Sequence, residues 1–314
     1  MKLHYKFRQV LFTAAALVIG GVLVAGPATA ADLPTGDSTA TTPQTLPIAA
    51  SAADGSAAKF STFAELSPGG NNVNLWAGNQ SWMRIGGPAT GIFAQDGILF
   101  DAAPHTGEVS YYSGSLHTWV PVGGPVAQLA VDGQGHLFAL TPNRDAVLEW
   151  QSGTKWVKIG GPATSITGGS AGLLVSTPGT GGVVRYAGSG WTWIGGPGAE
   201  FTEDSTGHVY GLNPARTAVT EWTGGTGWKT IGGPATSITG GTAGLVATAP
   251  GSGDLVRYTG SGWTKIGGPA AQIAETGDGW VVALTPNKSA VVGWKPGMTS
   301  WAKLGGPAEQ IAAS

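Results

Sequence analysis

Apolar and polar positions along this chain recur in units of 35 to 38 residues, and inside each unit the apolar residues come in short runs, not at helical spacing. The stretch from Gly160 to Ile194 is typical. Ile166 marks one run, Gly172-Leu173-Leu174-Val175 a second, Val183-Val184-Arg185-Tyr186 a third and Trp191-Thr192-Trp193-Ile194 a fourth. Gly, Pro, Ser and Thr separate the runs, and these are the residues that tight turns between strands require. Each unit therefore predicts four antiparallel strands of about five residues. Apolar side chains occur on both strand faces, so each unit is expected to be covered on both sides.

The pattern W-x-x-[I/V/L]-G-G-P begins seven times, at Trp82, Trp119, Trp156, Trp191, Trp228, Trp263 and Trp301. Four residues after each of its prolines stands an apolar residue: Ile92, Leu129, Ile166, Phe201, Ile238, Ile273 and Ile311. A second proline row runs Pro68, Pro104, Pro142, Pro178, Pro214, Pro250 and Pro286, followed eight residues later by Trp76, Tyr112, Trp150, Tyr186, Trp222, Tyr258 and Trp294. Units this small cannot exclude water alone. Seven of them, each clasped between two others, predict an all-β, seven-bladed β-propeller with four short antiparallel strands per blade.

The last blade is expected to be closed by both termini. Gly305 to Ile311 supplies an inner strand only, while Phe63 to Ile85 supplies the other three and aligns without a gap, Leu66-Ser67-Pro68 to Trp76 against Leu284-Thr285-Pro286 to Trp294. The six continuous blades place a glycine at the turn into the second strand: Gly97, Gly135, Gly172, Gly207, Gly244 and Gly279. Blades also alternate between a Trp and a Tyr type, and Gly160 to Gly169 recurs unchanged 72 residues later at Gly232 to Gly241. Charges alternate with them, as Glu149, Arg185, Glu221 and Arg257, either as contacts between neighbours or as solvated rim groups. Because seven is odd, two Trp-type blades must meet, at the seam between Trp294 and Trp76.

Composition changes the picture mainly at the start of the chain. Lys2, Lys6 and Arg8 precede an apolar run from about Val10 to Ala25, and Ala28-Thr29-Ala30 is a small-residue cleavage pattern. Residues 1–30 are thus predicted to be a signal peptide, with an uncleaved anchor disfavoured by Gly20, Gly21 and Gly26. Residues 31–58 read as a disordered Ala/Thr/Ser/Pro-rich tether and 59–314 as the propeller, which places the mature protein outside the cell with no membrane insertion. There is no Cys, so neither a disulfide nor thiol chemistry is available. Without its leader the chain has 13 basic against 18 acidic residues and no basic stripe, which argues against a nucleic-acid partner.

Catalytic signatures are absent: no nucleophile elbow, phosphate-binding loop or zinc-ligand spacing is found, and neither cofactor nor metal is expected. His136 and His208 share one repeat position, taken by Trp280 in a third blade, and read as surface residues. Asp96, Asp132, Glu203, Asp204 and Asp278 fall near the turn after the inner strand on different blades, so a paired acid and base is not expected. The inner strands read Ala-Thr-Ser-Ile and Ala-Gln-Ile, which makes a hydrolase or lyase working in the central channel the weakest reading. The protein is expected not to be an enzyme.

The aromatics carry the remaining signal. Each blade puts a Trp or Tyr late in its third strand and a Trp early in its fourth, flanking one hairpin. Such rings either wedge blades together or line clefts in which an aromatic face stacks on a sugar, with Asn79, Gln80, Ser81, Gln151 and Ser152 as polar companions. The string G-G-P-A-x-x-I, then G-x-[L/V], an aromatic, and W-x-x-I resembles the repeats of tectonin and tachylectin-type β-propeller lectins, over Phe60 to Ser314. That resemblance implies a secreted multivalent lectin with sugar pockets between adjacent blades, its partners being glycans or glycan-bearing surfaces. The ligand-binding candidates are then Trp76, Trp150, Trp222 and Trp294 with Trp82, Trp156, Trp228 and Trp301. The alternative is a non-catalytic scaffold or adhesion module that binds protein.

Ring closure is directly testable. Deleting Gly305 to Ser314 is expected to destabilise the whole domain, and a truncated protein with an unchanged melting temperature would contradict it.

Overall fold

Gln310–Ala313 pairs antiparallel with Phe63–Leu66 and so completes a sheet that continues through Val73–Gly78 and Ser81–Gly86. The computed structural model describes residues 63–314; the predicted signal peptide, the tether and residues 59–62 lie outside the described residues. Six further four-stranded antiparallel sheets follow in chain order, giving seven blades. We number the split blade 1 and the others 2 to 7. Blade 4 is built from Ser165–Gly169, Gly172–Ser176, Val183–Tyr186 and Trp191–Gly195, matching the four apolar runs.

The first strand of each blade lines the axis: Gly91–Gln95, Gln128–Val131, Ser165–Gly169, Glu200–Glu203, Ser237–Gly241 and Gln272–Glu275, with Gln310–Ala313 doing so for blade 1. Each packs beside the next, and Gln310–Ala313 lies between Gln272–Glu275 and Gly91–Gln95, so the ring is closed. All six turn glycines have positive φ, from 78° at Gly97 to 110° at Gly172, a conformation that a side chain would strain. Among the described residues no helix is long and apolar enough to cross a membrane.

The W-x-x-I-G-G motif is an interlock between blades. In every blade the outer strand carries a bulge opposite the start of the third strand: Val183 pairs with Gly195 and Val184 with Trp193, so Ile194 is left over. The same skip leaves out Ile85, Val122, Ile159, Ile231, Ile266 and Leu304. A bulged residue is released from the ladder, and its backbone needs another partner. That partner is the motif Trp of the following blade. The indole Nε1–H donates to the bulged carbonyl at all seven junctions, from Trp301 to Ile266 at 2.6 Å to Trp82 to Leu304 at 3.2 Å. The next residue must be glycine because the indole occupies the place of a side chain. A Cβ on Gly86, Gly123, Gly160, Gly195, Gly232, Gly267 or Gly305 would fall within 3.3 Å of that Trp.

A second set of ties runs near the axis and distinguishes the two blade types. Three inner strands of Trp-type blades begin with Gln and the fourth with Glu200, and these side chains act on the next blade like an extra peptide group. Gln128 accepts from Ile166 N–H at 3.1 Å and donates to its carbonyl at 2.7 Å. Gln272 treats Ile311, and Gln310 treats Ile92, in the same way at 2.7–2.9 Å. Glu200 accepts from Ile238 N–H at 3.2 Å and meets Arg216 at 3.4 Å. The C-terminal strand is thus held on both sides by side chains as well as by Phe63–Leu66. At the predicted seam, blade 7 meets blade 1 through the Trp82 interlock and the Gln272 tie.

Replacing Trp228 by Phe keeps a ring but leaves the Ile194 carbonyl without its donor, and is expected to cost about 1–3 kcal/mol. Gly195→Ala, at φ 140° and against the same indole, should cost more. Urea unfolding midpoints of the two variants read both losses, and a wild-type midpoint for Gly195→Ala would refute the interlock.

Candidate functional site

Four antiparallel strands put the turn after the inner strand and the hairpin between third and outer strands at the same end of each blade. The Trp hairpins therefore ring the periphery of one face, and the inner-strand turns converge on its centre. Trp76 lies 5.0 Å from Trp82 and Trp294 6.4 Å from Trp301, while Trp150 and Trp222 stand directly opposite Trp156 and Trp228. All eight candidates thus pair as expected across their hairpins.

Their surroundings are not equivalent. Trp150 and Trp294 are only 5% and 8% exposed, whereas Trp76 and Trp222 are half-buried. Trp150, Trp222 and Trp294 donate Nε1–H to Gly153, Gly225 and Met298 within their own hairpins at 2.8–3.0 Å. Trp82, Trp156, Trp228 and Trp301 give theirs to the preceding blade, as above. Phe63 packs on both Trp76 and Trp82, and the Arg185 guanidinium sits 5.9 Å above the Trp222 ring. Of the polar companions, Gln151 is buried, while Asn79, Gln80 and Ser81 are exposed.

At the centre of the same face is a cavity of about 240 Å³ lined by all seven inner strands and their turns. Among the described residues its wall carries five carboxyl side chains, Asp96, Asp132, Glu203, Asp204 and Glu275, and no Lys, Arg or His. Phe93, Leu129, Val131, Ile166 and Ala274 make apolar sections between them, and Thr167, Thr202, Thr239 and Thr276 add hydroxyls. Asp278 is not in this wall and stands 3.8 Å from Lys295.

Two of these carboxyls correct the sequence reading. The inner strands of blades 5 and 7 end in Glu203 and Glu275, so the channel is not free of ionisable groups. Each reaches back to the preceding Tyr-type blade, where Glu203 Oε2 accepts from Ala171 N–H at 2.7 Å and Glu275 Oε2 from Ala243 N–H at 2.8 Å. A Cβ on Gly169 or Gly241 would collide with these carboxyls, and one on Gly168 or Gly240 with the Val131 or Glu203 backbone carbonyl, which together explain the Gly-Gly ends of those inner strands. Arg185 and Arg257 hold the carbonyls of the same two alanines, the second at 2.5 Å. The alternating arginines thus secure turns at the cavity rim. Burial pushes the carboxyls of both Glu203 and Glu275 up to about 8, against the pull of the backbone bond and the nearby arginine.

The histidines follow turn chemistry. Asp132 Oδ1 accepts from the backbone N–H of Gln134 and His136 at 2.9 Å, and its Oδ2 lies 2.9 Å from His136 Nδ1. Asp204 repeats this with Thr206 and His208 and also accepts from Tyr210 Oη at 3.0 Å. These hydrogen bonds outweigh burial and lower the Asp204 carboxyl below its usual range. Among the described residues no group of three or more His, Cys, Asp or Glu could hold a metal ion. Glu275 was missed by the sequence reading, although its position, six residues after the motif proline, is shared with Glu203.

No protein-family model matches the chain, and no curated protein matches it in sequence. Solved structures do. The CRINKLY WD40 ectodomain of the Arabidopsis thaliana receptor kinase ACR4 is similar with a TM-score of 0.54 at 15% identity, over 79% of this chain and 94% of that one. The ectodomain of the Physcomitrella patens receptor kinase CR4 gives 0.54 at 18%, over 75% and 74%. A streptogramin B lyase gives 0.53 at 10%, over 71% and 89%. At such identities the likeness extends to the propeller fold alone, which serves receptors and enzymes alike.

The buried glutamates make stability depend on pH. Their folded-state values near 8 lie above the ordinary 4.5, so the protonated form is favoured on folding. This contribution is complete below about pH 4.5 and is lost as pH rises through about 8. The urea midpoint should therefore fall between about pH 5.5 and about pH 8.5, and the E203Q/E275Q variant should fall much less. Equal slopes for both proteins would refute the assignment.

Proposed function

We propose that this protein is a non-catalytic binding propeller that receives positively charged partners at the acidic centre of its hairpin face. One observation carries the reading: five carboxyls from four different blades line one cavity whose wall, among the described residues, holds no basic side chain. The aspartates among them give a low-dielectric recess a potential of one sign, which attracts the opposite charge and speeds its encounter, and the buried glutamates add to it once an arriving cation displaces their protons. The Thr276 hydroxyl of the wall donates to Asp278 at 2.6 Å, but that carboxylate stands outside the wall beside Lys295, and Glu203 and Glu275 already hold backbone N–H groups, which supports binding over catalysis. The predicted leader places this activity outside the cell.

A second reading keeps to the aromatics. Trp76 and Trp222 alone among the third-strand tryptophans leave part of a ring open, and beside Trp76 stand the exposed Asn79, Gln80 and Ser81. A neutral sugar stacking there, repeated around the ring or across glycan-bearing surfaces, fits the lectin-like repeats. The other six tryptophan candidates serve this reading only as supports.

A labelled tetralysine peptide distinguishes the two. Anisotropy should show binding that weakens with salt and drops about tenfold in D132N/D204N, which preserves the turn acceptors. Equal binding of a tetraglutamate peptide, or an unaffected variant, would overturn the acidic-mouth reading. Neutral sugars that change Trp emission in wild type and not in W76F/W222F would establish the second.

A further inference from the structure

The cavity that the proposed function uses has features that a purely electrostatic mouth does not need. We infer that its ligand is a small organic cation, an ammonium group carried on an apolar body, and not a divalent metal ion. This inference rests on the reading of the cavity as a binding site and adds the chemical class of the ligand.

Three observations carry it. First, the carboxyls are spread around the wall, and among the described residues no three come together as metal ligands would. A compact hard cation needs several oxygens at one point, whereas an alkylammonium needs one or two acceptors and a shape. Second, Phe93, Leu129 and Ile166 face the same space from three successive inner strands, and 240 Å³ is room for a short chain as well as a charged head. Third, Glu203 and Glu275 are each 6% exposed, line this cavity, and retain one oxygen, Oε1, with no hydrogen-bond partner. Buried acceptors left unmatched are unfavourable, and an ammonium N–H supplies the missing donor.

Binding then displaces protons. Glu203 faces Arg185, Asp204 and Asp132, and Glu275 faces Arg257 and Asp204; near neutral pH both glutamates hold a proton that an incoming cation drives off. Affinity consequently increases as pH rises towards about 8.5, and the heat of binding depends on the ionisation heat of the buffer.

The test uses the full chain and four probes: n-pentylamine, 1-pentanol, calcium chloride and the tetralysine peptide, each followed by calorimetry and by the shift in melting temperature. Pentylamine is expected to bind and stabilise, with pentanol and calcium inert, and E203Q/E275Q should weaken it by about tenfold or more. Gln keeps the volume and the acceptor for the alanine N–H; if the double variant does not fold, D204N reads the same loss of charge. Binding of calcium in place of pentylamine overturns the ligand class and leaves the acidic mouth standing. Peptide binding without pentylamine binding does the same. Equal binding of pentanol and pentylamine, or no binding of any probe, overturns both.

Discussion

The ring depends on one hydrogen bond made seven times. A bulge in each outer strand turns a carbonyl out of its own sheet, and the indole of the next blade answers it. Neighbouring blades share no backbone ladder, only single backbone bonds such as Gly133 N–H to Gly169 and Ser205 N–H to Gly241, so a repeated contact that fixes both distance and direction sets how each sheet sits on the last. The motif can be read as three parts of one device: tryptophan as donor, the apolar residue as bulge and acceptor, and glycine as the seat for the incoming ring. Because the donor lies on one blade and the other two parts on its predecessor, no blade completes the device alone.

A second layer works on the axis, where Gln128, Gln272 and Gln310 pair with the backbone of the next inner strand. From blade 3 to blade 7, blades that offer such a side chain alternate with blades 4 and 6, whose inner strands end in Gly-Gly and accept close approach from Glu203 or Glu275, whereas the inner strand of blade 2 ends in Gln95. The two blade types are therefore complementary in shape, one extending a side chain and the other leaving space for it. Burial of two carboxyls at the axis follows from that fit, and the same geometry that secures the turns at Ala171 and Ala243 places two titratable groups, held protonated near neutral pH, against the cavity.

Much of the fold was legible because it is written in local terms. Strand number, blade number, the turn glycines and the split blade all follow from residues whose spacing never varies, and Gly97, Gly135 and Gly279 have the backbone conformation that their position demands. The tryptophans were legible as pairs, but their hydrogen bonds were not, since the partner of Trp228 is a main-chain carbonyl, and carbonyls look alike in every residue. Differences in burial, such as Trp150 against Trp76, depend on which neighbour covers the ring. The cavity escaped notice for another reason: Asp132, Glu203 and Glu275 are separated by about two blades of sequence, and only the curvature of the ring brings them to one wall. Glu275 could have been found by comparing the residue six places after each motif proline.

The interlock has a polarity: every blade donates backward and accepts from ahead. In a closed circle each indole has its carbonyl, but an arc has one of each left over, at opposite ends. Two arcs on separate molecules match each other as well as an arc matches itself, a head-to-tail contact that need not close. Gln310–Ala313, paired with Phe63–Leu66 and tied to Ile92, holds the two ends of the arc in register, so the head of the molecule greets its own tail and the odd donor and acceptor are spent within one chain.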